Sequence, residues 1–308
     1  MARKAKGEKI DGWVILDKPK GLSSTQAMAR VRRDFGAAKA GHAGTLDPLA
    51  TGVLPIALGE ATKTVQFVAE RAKRYRFTIR WGETRTSDDA EGEIVARSQR
   101  RPSEIEIRAA LPRFRGEIAQ VPPVFSAIKI AGRPAYARAR SGETVEMKPR
   151  TVTIERFDLE AMPDPDHAVF IVQCSKGTYV RSLARDLAQA LGTLGHVAEL
   201  RRLAVGNFTE AAAIGLDKLD QLRHSPARFA HLRAVETALD DIPALAVTEA
   251  EGRLLRQGQA VRVASAADRD DARALRPGQV VSATHHGRLV ALTRFDGERL
   301  RPLRVLNL

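Results

Sequence analysis

The densest chemistry in the chain lies in one loop, Gly41-His42-Ala43-Gly44-Thr45-Leu46-Asp47-Pro48-Leu49-Ala50-Thr51-Gly52. Glycines flank both a histidine and an aspartate, and Pro48 stiffens the position after the acid. Such a loop can present a carboxylate at a surface with no side-chain wall around it. An aspartate is ionised at neutral pH, so Asp47 is a candidate nucleophile. The plain alternative is a connecting loop in which Asp47 only caps a turn, and the residue types alone leave both open.

Two other chemistries fail on spacing. Gly36 to Ala43 has the two-glycine interval of a phosphate-cradling loop, but His42 and Ala43 stand where a lysine and a hydroxyl residue are required. A metal site on His42 and Asp47 lacks a third ligand, and the His285-His286 pair lies far along the chain. Neither a phosphate-cradling loop nor a metal site is expected. The aromatic residues offer a different lead. Of three tyrosines, Tyr75 sits in the run Lys73-Arg74-Tyr75-Arg76, and Tyr179 lies two residues before Arg181. Rings beside cationic side chains suit unstacked bases, although core packing is the commoner fate of a tyrosine.

The 308 residues carry a net charge of +13, which favours a polyanionic partner, nucleic acid before membrane. At 44% hydrophobic and 28% charged, the chain can bury a core, which excludes global disorder. No apolar run approaches the roughly 20 residues that span a bilayer, and the basic start from Met1 to Lys9 is not followed by a signal-peptide core. The single Cys174 can form no internal disulfide, so the reducing cytoplasm is the expected compartment.

These residues need a scaffold, and its pieces are legible. Val14 to Leu16 predicts a short strand, and Ser23 or Ser24 caps a helix running to about Phe35, with Gly36 as its stop. Val53 to Leu58 predicts a strand whose Pro55 argues for an edge or a bulge. Arg74 to Trp81 alternates, with Tyr75, Phe77, Ile79 and Trp81 on one face. Residues 87–93 read as an acidic turn, Pro102 to Phe114 as a helix, and 120–150 as a protruding insertion with a basic surface for phosphate. Ala168 to Cys174 predicts a buried strand, followed by a helix capped by Thr178 with a Val180, Leu183, Ala184, Leu187, Leu191 stripe. After about Asp241 come a helix at Thr248 to Arg256 and β runs at Val280–Ala283, Leu289–Arg294 and Leu303–Leu306. The expected class is α+β: a mixed, mainly antiparallel sheet domain over 1–242 and a small C-terminal β-barrel over 243–308.

Five segments together resemble the TruB family of tRNA pseudouridine synthases. They are Asp17-Lys18-Pro19 with Gly21, Ser23 and Ser24; the loop from Ala40 to Gly52; Lys73 to Arg76; Cys174 to Arg181; and Leu200-Arg201-Arg202-Leu203. They fall in family order and spacing over roughly residues 10–205. The tail after about residue 243 is similar to the family's PUA domain in position and texture.

The resemblance implies isomerisation of the uridine at position 55, in the T loop of tRNA, to pseudouridine by base flipping, without a cofactor. It implies that Asp47 is the catalytic aspartate, Arg181 its partner, and Tyr75 the ring that stacks on the base and assists at C5. Tyr179 and Leu200 would border the uridine, His42 would stack within the remodelled T loop, and Lys18 and Pro19 would support the floor. It also implies a monomeric, cytoplasmic enzyme that could assist tRNA folding. The rival reading is a non-catalytic tRNA-binding or folding protein, for which an ionised Asp47 beside phosphate would be a liability. An RNA glycosylase would want a second carboxylate, and none lies near Asp47 in sequence.

Overall fold

The computed structural model describes residues 7–126, 128–130, 132–263 and 275–308. Most of the basic N-terminal run, and part of the C-terminal module, lie outside the described residues.

The central element is an 11-stranded sheet. Its main path runs through Ile214–Gly215, Gly12–Lys18, Thr51–Leu58, Gly195–Val205, Lys73–Trp81, His167–Cys174, Arg150–Asp164 and Gly116–Gln120. All junctions along this path are antiparallel except two, Ile214–Gly215 on Gly12–Lys18 and Thr51–Leu58 on Gly195–Val205. The sheet is therefore mixed and mainly antiparallel, as expected of the family the sequence resembles.

Local patterning maps onto which faces are covered. In Gly12–Lys18, Val14 and Leu16 enter one core cluster while Trp13 and Ile15 enter a second, on the opposite face. A strand covered on both sides reads as a continuous apolar run. In Lys73–Trp81 only Phe77, Ile79 and Trp81 are buried hydrophobics, and Arg74, Arg76 and Arg80 face water. One-sided cover produces alternation. The first core is roofed by helices Ser24–Phe35 and Val180–Ala190.

Helix ends follow their caps. The Ser23 hydroxyl accepts from the Gln26 N–H in a capping box, and Gly36 ends the helix at φ 69°. Thr178, expected as a cap, instead donates its hydroxyl to the Ser175 carbonyl at 3.0 Å, and Tyr179 occupies the cap position without a side-chain cap bond. Pro55 does not mark an edge, because Thr51–Leu58 is interior. It falls where that strand changes partner on one side, between the pairs His42↔Ile56 and Arg202↔Gly52. A proline costs nothing there, since no ladder bond is required of its nitrogen.

The C-terminal module contains a five-stranded sheet, curled as a half-barrel and consistent with a PUA-like fold, with helix Glu249–Arg256 against it. Its last strand starts earlier than expected, at Arg299. Leu289, Leu292 and Leu306 pack into the cluster that holds Trp13 and Ile15, so the module shares a core with the main sheet. Lys63 Nζ also donates to the Val305 carbonyl at 2.8 Å, and Asn307 N–H donates to Glu60 at 2.7 Å. Truncating the fully buried Leu292 to alanine is expected to cost about 2–5 kcal/mol and to keep one cooperative transition in urea. Separate transitions for the two parts would contradict a shared core.

Candidate functional site

The Asp47 loop is pinned from several directions. Leu46 and Leu49, on either side of the acid, are buried in the main core. Ser24 is not the helix cap but a loop anchor: its hydroxyl accepts from Leu46 N–H at 2.7 Å and lies 2.9 Å from the Leu46 carbonyl. Gly21 N–H donates to the Pro48 carbonyl at 2.8 Å. Lys18, fully buried below, donates to the carbonyls of Leu22 at 2.7 Å and Pro19 at 2.9 Å, with Pro48 O at 3.5 Å. Pro19 itself is exposed, and its carbonyl is one of the floor contacts.

Above this floor the Asp47 side chain is 40% exposed, and its carboxylate lies 2.9 Å from Arg181. Arg181 is 5% exposed, in the first turn of helix Val180–Ala190. Its guanidinium also donates to the carbonyls of Ser87 and Phe125, each at 2.9 Å, and meets Asp89 at 3.5 Å. Burying an arginine is costly unless its donors are satisfied, and here two carbonyls and two carboxylates do so. Asp89, with its side chain only 4% exposed, also accepts from Glu91 N–H at 3.0 Å. It holds Arg181 from behind and leaves Asp47 the carboxylate open to solvent. This second carboxylate comes from the acidic turn at 87–93, which has no local signature beyond a turn.

The cavity over Asp47 has a volume of about 270 Å³. Tyr75, Tyr179, Arg181 and Leu200 line it, together with Lys73 and Arg202. Five of the eight residues expected at the site are thus gathered around one space. His42 is not among the lining residues. It pairs with Ile56 below the loop, and its buried Nδ1 has no hydrogen-bond partner. Burial and the Arg202 charge lower its pKa, so the ring is neutral at neutral pH.

Residues 120–126 belong to the site wall rather than to a free insertion. Gln120, fully buried, accepts from Tyr179 N–H at 2.8 Å and donates back to its carbonyl at 3.2 Å. Ser182 Oγ donates to the Val121 carbonyl at 2.8 Å. Burial raises the Tyr75 phenol, keeping it protonated at neutral pH, and pushes the Lys73 ammonium down to about 8. Burial likewise lowers Lys18 to about 8, against the pull of the Asp47 carboxylate. Among the described residues, no group of three or more His, Cys, Asp or Glu could hold a metal ion.

Two expectations follow. Gly52 has φ +97°, and a Cβ there would lie 2.2 Å from the Arg202 carbonyl oxygen. Gly52→Ala is therefore expected to destabilise the protein by on the order of 2–4 kcal/mol, measured by urea unfolding. The second expectation concerns pH. Between about 8 and about 10, the unfolded chain holds a proton on Lys18 that the folded chain has released, so this residue's contribution to stability rises with pH. The urea midpoint of wild type is expected to gain on that of Lys18→Met over that interval. A pH-independent difference would remove Lys18 as its source.

Residues 32–180 match the model described as TruB family pseudouridylate synthase (N terminal domain). Residues 181–240 match the tRNA pseudouridylate synthase B C-terminal domain. The chain is 52% identical to the tRNA pseudouridine synthase B of Caulobacter vibrioides, over all of both chains. It is 49% identical to the protein of that name in Rhodospirillum rubrum, again over both full lengths. Among solved structures, an archaeal box H/ACA sRNP Nop10-Cbf5 complex has a chain with TM-score 0.72 and 24% identity, covering 96% of this chain and 85% of that one. An H/ACA RNP bound to a substrate RNA containing 2′-deoxyuridine has one with TM-score 0.73 and 21% identity, covering 100% and 92%. These two likenesses show the pseudouridine synthase fold, and the sequence matches show the family. With a buried arginine presenting an open aspartate in a nucleobase-sized cleft, this chain belongs to the TruB family of pseudouridylate synthases.

Proposed function

We propose that the protein isomerises the uridine at position 55, in the T loop of tRNA, to pseudouridine, with Asp47 as nucleophile. The observation that carries this reading is the open Asp47 carboxylate held by a guanidinium that is itself buried. An adjacent fixed cation orients a carboxylate. The full-length relatives named tRNA pseudouridine synthase B support tRNA as the substrate.

The target base must leave the RNA stack to reach Asp47, which requires flipping. Asp47 attacks the flipped uridine at ribose C1′ or uracil C6. The C1′–N1 bond breaks, the uracil turns within the cavity, C5 bonds to C1′, and the bond between Asp47 and the nucleotide breaks to free the carboxylate. The proton on C5 departs to a base and N1 acquires one, so atoms balance with no group lost and no electrons exchanged. Tyr75 lines the cavity as a stacking platform for the base, and its phenol, kept protonated by burial, assists at C5 as a hydrogen-bonding group while another group takes the proton. Tyr179 and Leu200 border the uracil. The neutral His42 suits stacking within the rearranged loop. Asp89 makes a poor second acid for hydrolysis, because burial and Arg181 already engage it. That favours isomerisation over base removal.

The remaining parts of the reading concern context. Residues 1–242 form the catalytic domain and 243–308 a PUA-like RNA-binding module, with the T stem-loop against the arginine face at Arg74 and Arg76 and the basic 120–150 lobe. The enzyme works as a cytoplasmic monomer, and opening the T loop would let it assist tRNA folding.

A tRNA transcript tritiated at uridine C5 tests this directly. Wild type is expected to release tritium, Asp47→Asn none, and a transcript with cytidine at position 55 none. Equal release by both proteins, or by neither, rules the reading out in favour of a non-catalytic binder or another chemistry. Arg181→Ala and Asp89→Asn are expected to lower turnover roughly 10- to 100-fold while tRNA affinity stays near wild type. A matching loss of affinity would make Arg181 a phosphate contact instead.

A further inference from the structure

Arg202 is among the largest fully buried side chains in the protein, at 1% exposure. Among the described residues no carboxylate lies within ion-pair distance of it, whereas neighbouring Arg201 pairs with Asp17 and Glu210. An uncompensated buried cation is expensive, so its surroundings must be organised around its donors. They are. Nε donates to the Val53 carbonyl at 2.7 Å, one terminal nitrogen donates to Gly44 O at 2.9 Å, and the other lies 3.5 Å from Thr45 O. The Arg202 charge also acts on the Tyr75 hydroxyl.

The backbone of Arg202 occupies a matching node. In the strand Gly195–Val205 it registers with Gly52 on one side and with Tyr75 on the other. Gly44 and Gly52, which bracket the Asp47 loop at φ +99° and +97°, both make room for it. A Cβ on Gly44 would lie 3.3 Å from the guanidinium, and one on Gly52 would collide with the Arg202 backbone. The glycines of the loop therefore serve contact with this arginine.

Resting on the function proposed above, we propose that Arg202 is a positioning residue, a rigid fork that sets the Asp47 loop and the Tyr75 ring at a fixed separation across the uridine cavity. A planar guanidinium spreads five donors over several acceptors at fixed angles. An ammonium keeps the charge but cannot span them.

The test uses the full chain with tritium release, tRNA affinity and thermal unfolding measured in parallel. Arg202→Lys is expected to lower kcat roughly 10- to 100-fold, with KM and tRNA affinity within about 2-fold of wild type. Its loss should overlap with that of Tyr75→Phe, the double variant falling well short of the product of the two singles. Wild-type kcat in Arg202→Lys, an equal rise in KM, or fully multiplicative losses would each overturn the proposal. Should Arg202→Lys fail to fold, Tyr75→Phe alone decides: removing the hydroxyl on which the Arg202 charge acts must lower kcat without raising KM, and an unchanged kcat overturns it. Release by wild type with normal turnover in the variants sinks only the positioning role. No release by wild type sinks the proposed function and this role with it.

Discussion

A guanidinium that cannot reach water organises this protein. Arg181 lies under the site with 5% exposure, and its donors must all be met from inside. Satisfying them draws together elements distant in sequence: the turn carrying Ser87 and Asp89, the segment carrying Phe125, and the Asp47 loop. Three of the four acceptors, the buried Asp89 and the backbone carbonyls of Ser87 and Phe125, are structural partners. The fourth, Asp47, is the one left facing the cavity. The charge pair is therefore asymmetric, fixed on its cationic side and open to solvent on its anionic side, which is the arrangement the proposed nucleophile needs.

The sheet makes that arrangement rigid. At its middle the strands are covered on both faces, by helices on one side and by the shared core of the C-terminal module on the other. Further along, the arginine-bearing face of Lys73–Trp81 is left open. The same strand thus offers Tyr75 to the cavity and Arg74 and Arg76 to solvent, so cavity-facing and solvent-facing groups are separated by the two-residue period of a strand. Lys18, Lys73 and Arg202 place further cations around Asp47. Burial lowers both lysines, so the field at the site depends on pH near 8 in a way a surface lysine would not show.

Much of this was legible from local pattern. The capped helix from Ser23 to Gly36, the alternating strand at Tyr75 and the apolar stripe after Tyr179 depend on neighbours one turn or two residues away, which the sequence displays. The misreadings share a different cause. Pro55 looked like an edge signal because sequence does not show that a strand can change partner mid-length. Ser23 and Ser24 looked interchangeable until the Leu46 backbone claimed the second hydroxyl. Thr178 looked like a cap, but it closes the turn before the helix. Asp89 and Gln120 carried no local mark, and Arg202 only its place in a segment that resembles the family, since their partners lie tens of residues away.

The chain by itself determined which residues could act. A glycine-bracketed aspartate, a tyrosine among arginines and an arginine at a helix start are matters of residue type and spacing, and they pointed to the right family. Only the tertiary structure decided how those atoms are held. It supplied Asp89 as the counterweight behind Arg181, placed Arg202 between the two glycines and Tyr75, and kept His42 out of the cavity lining. Those are packing and desolvation outcomes. They depend on which long-range partner fills each buried valence, and no local pattern encodes that choice.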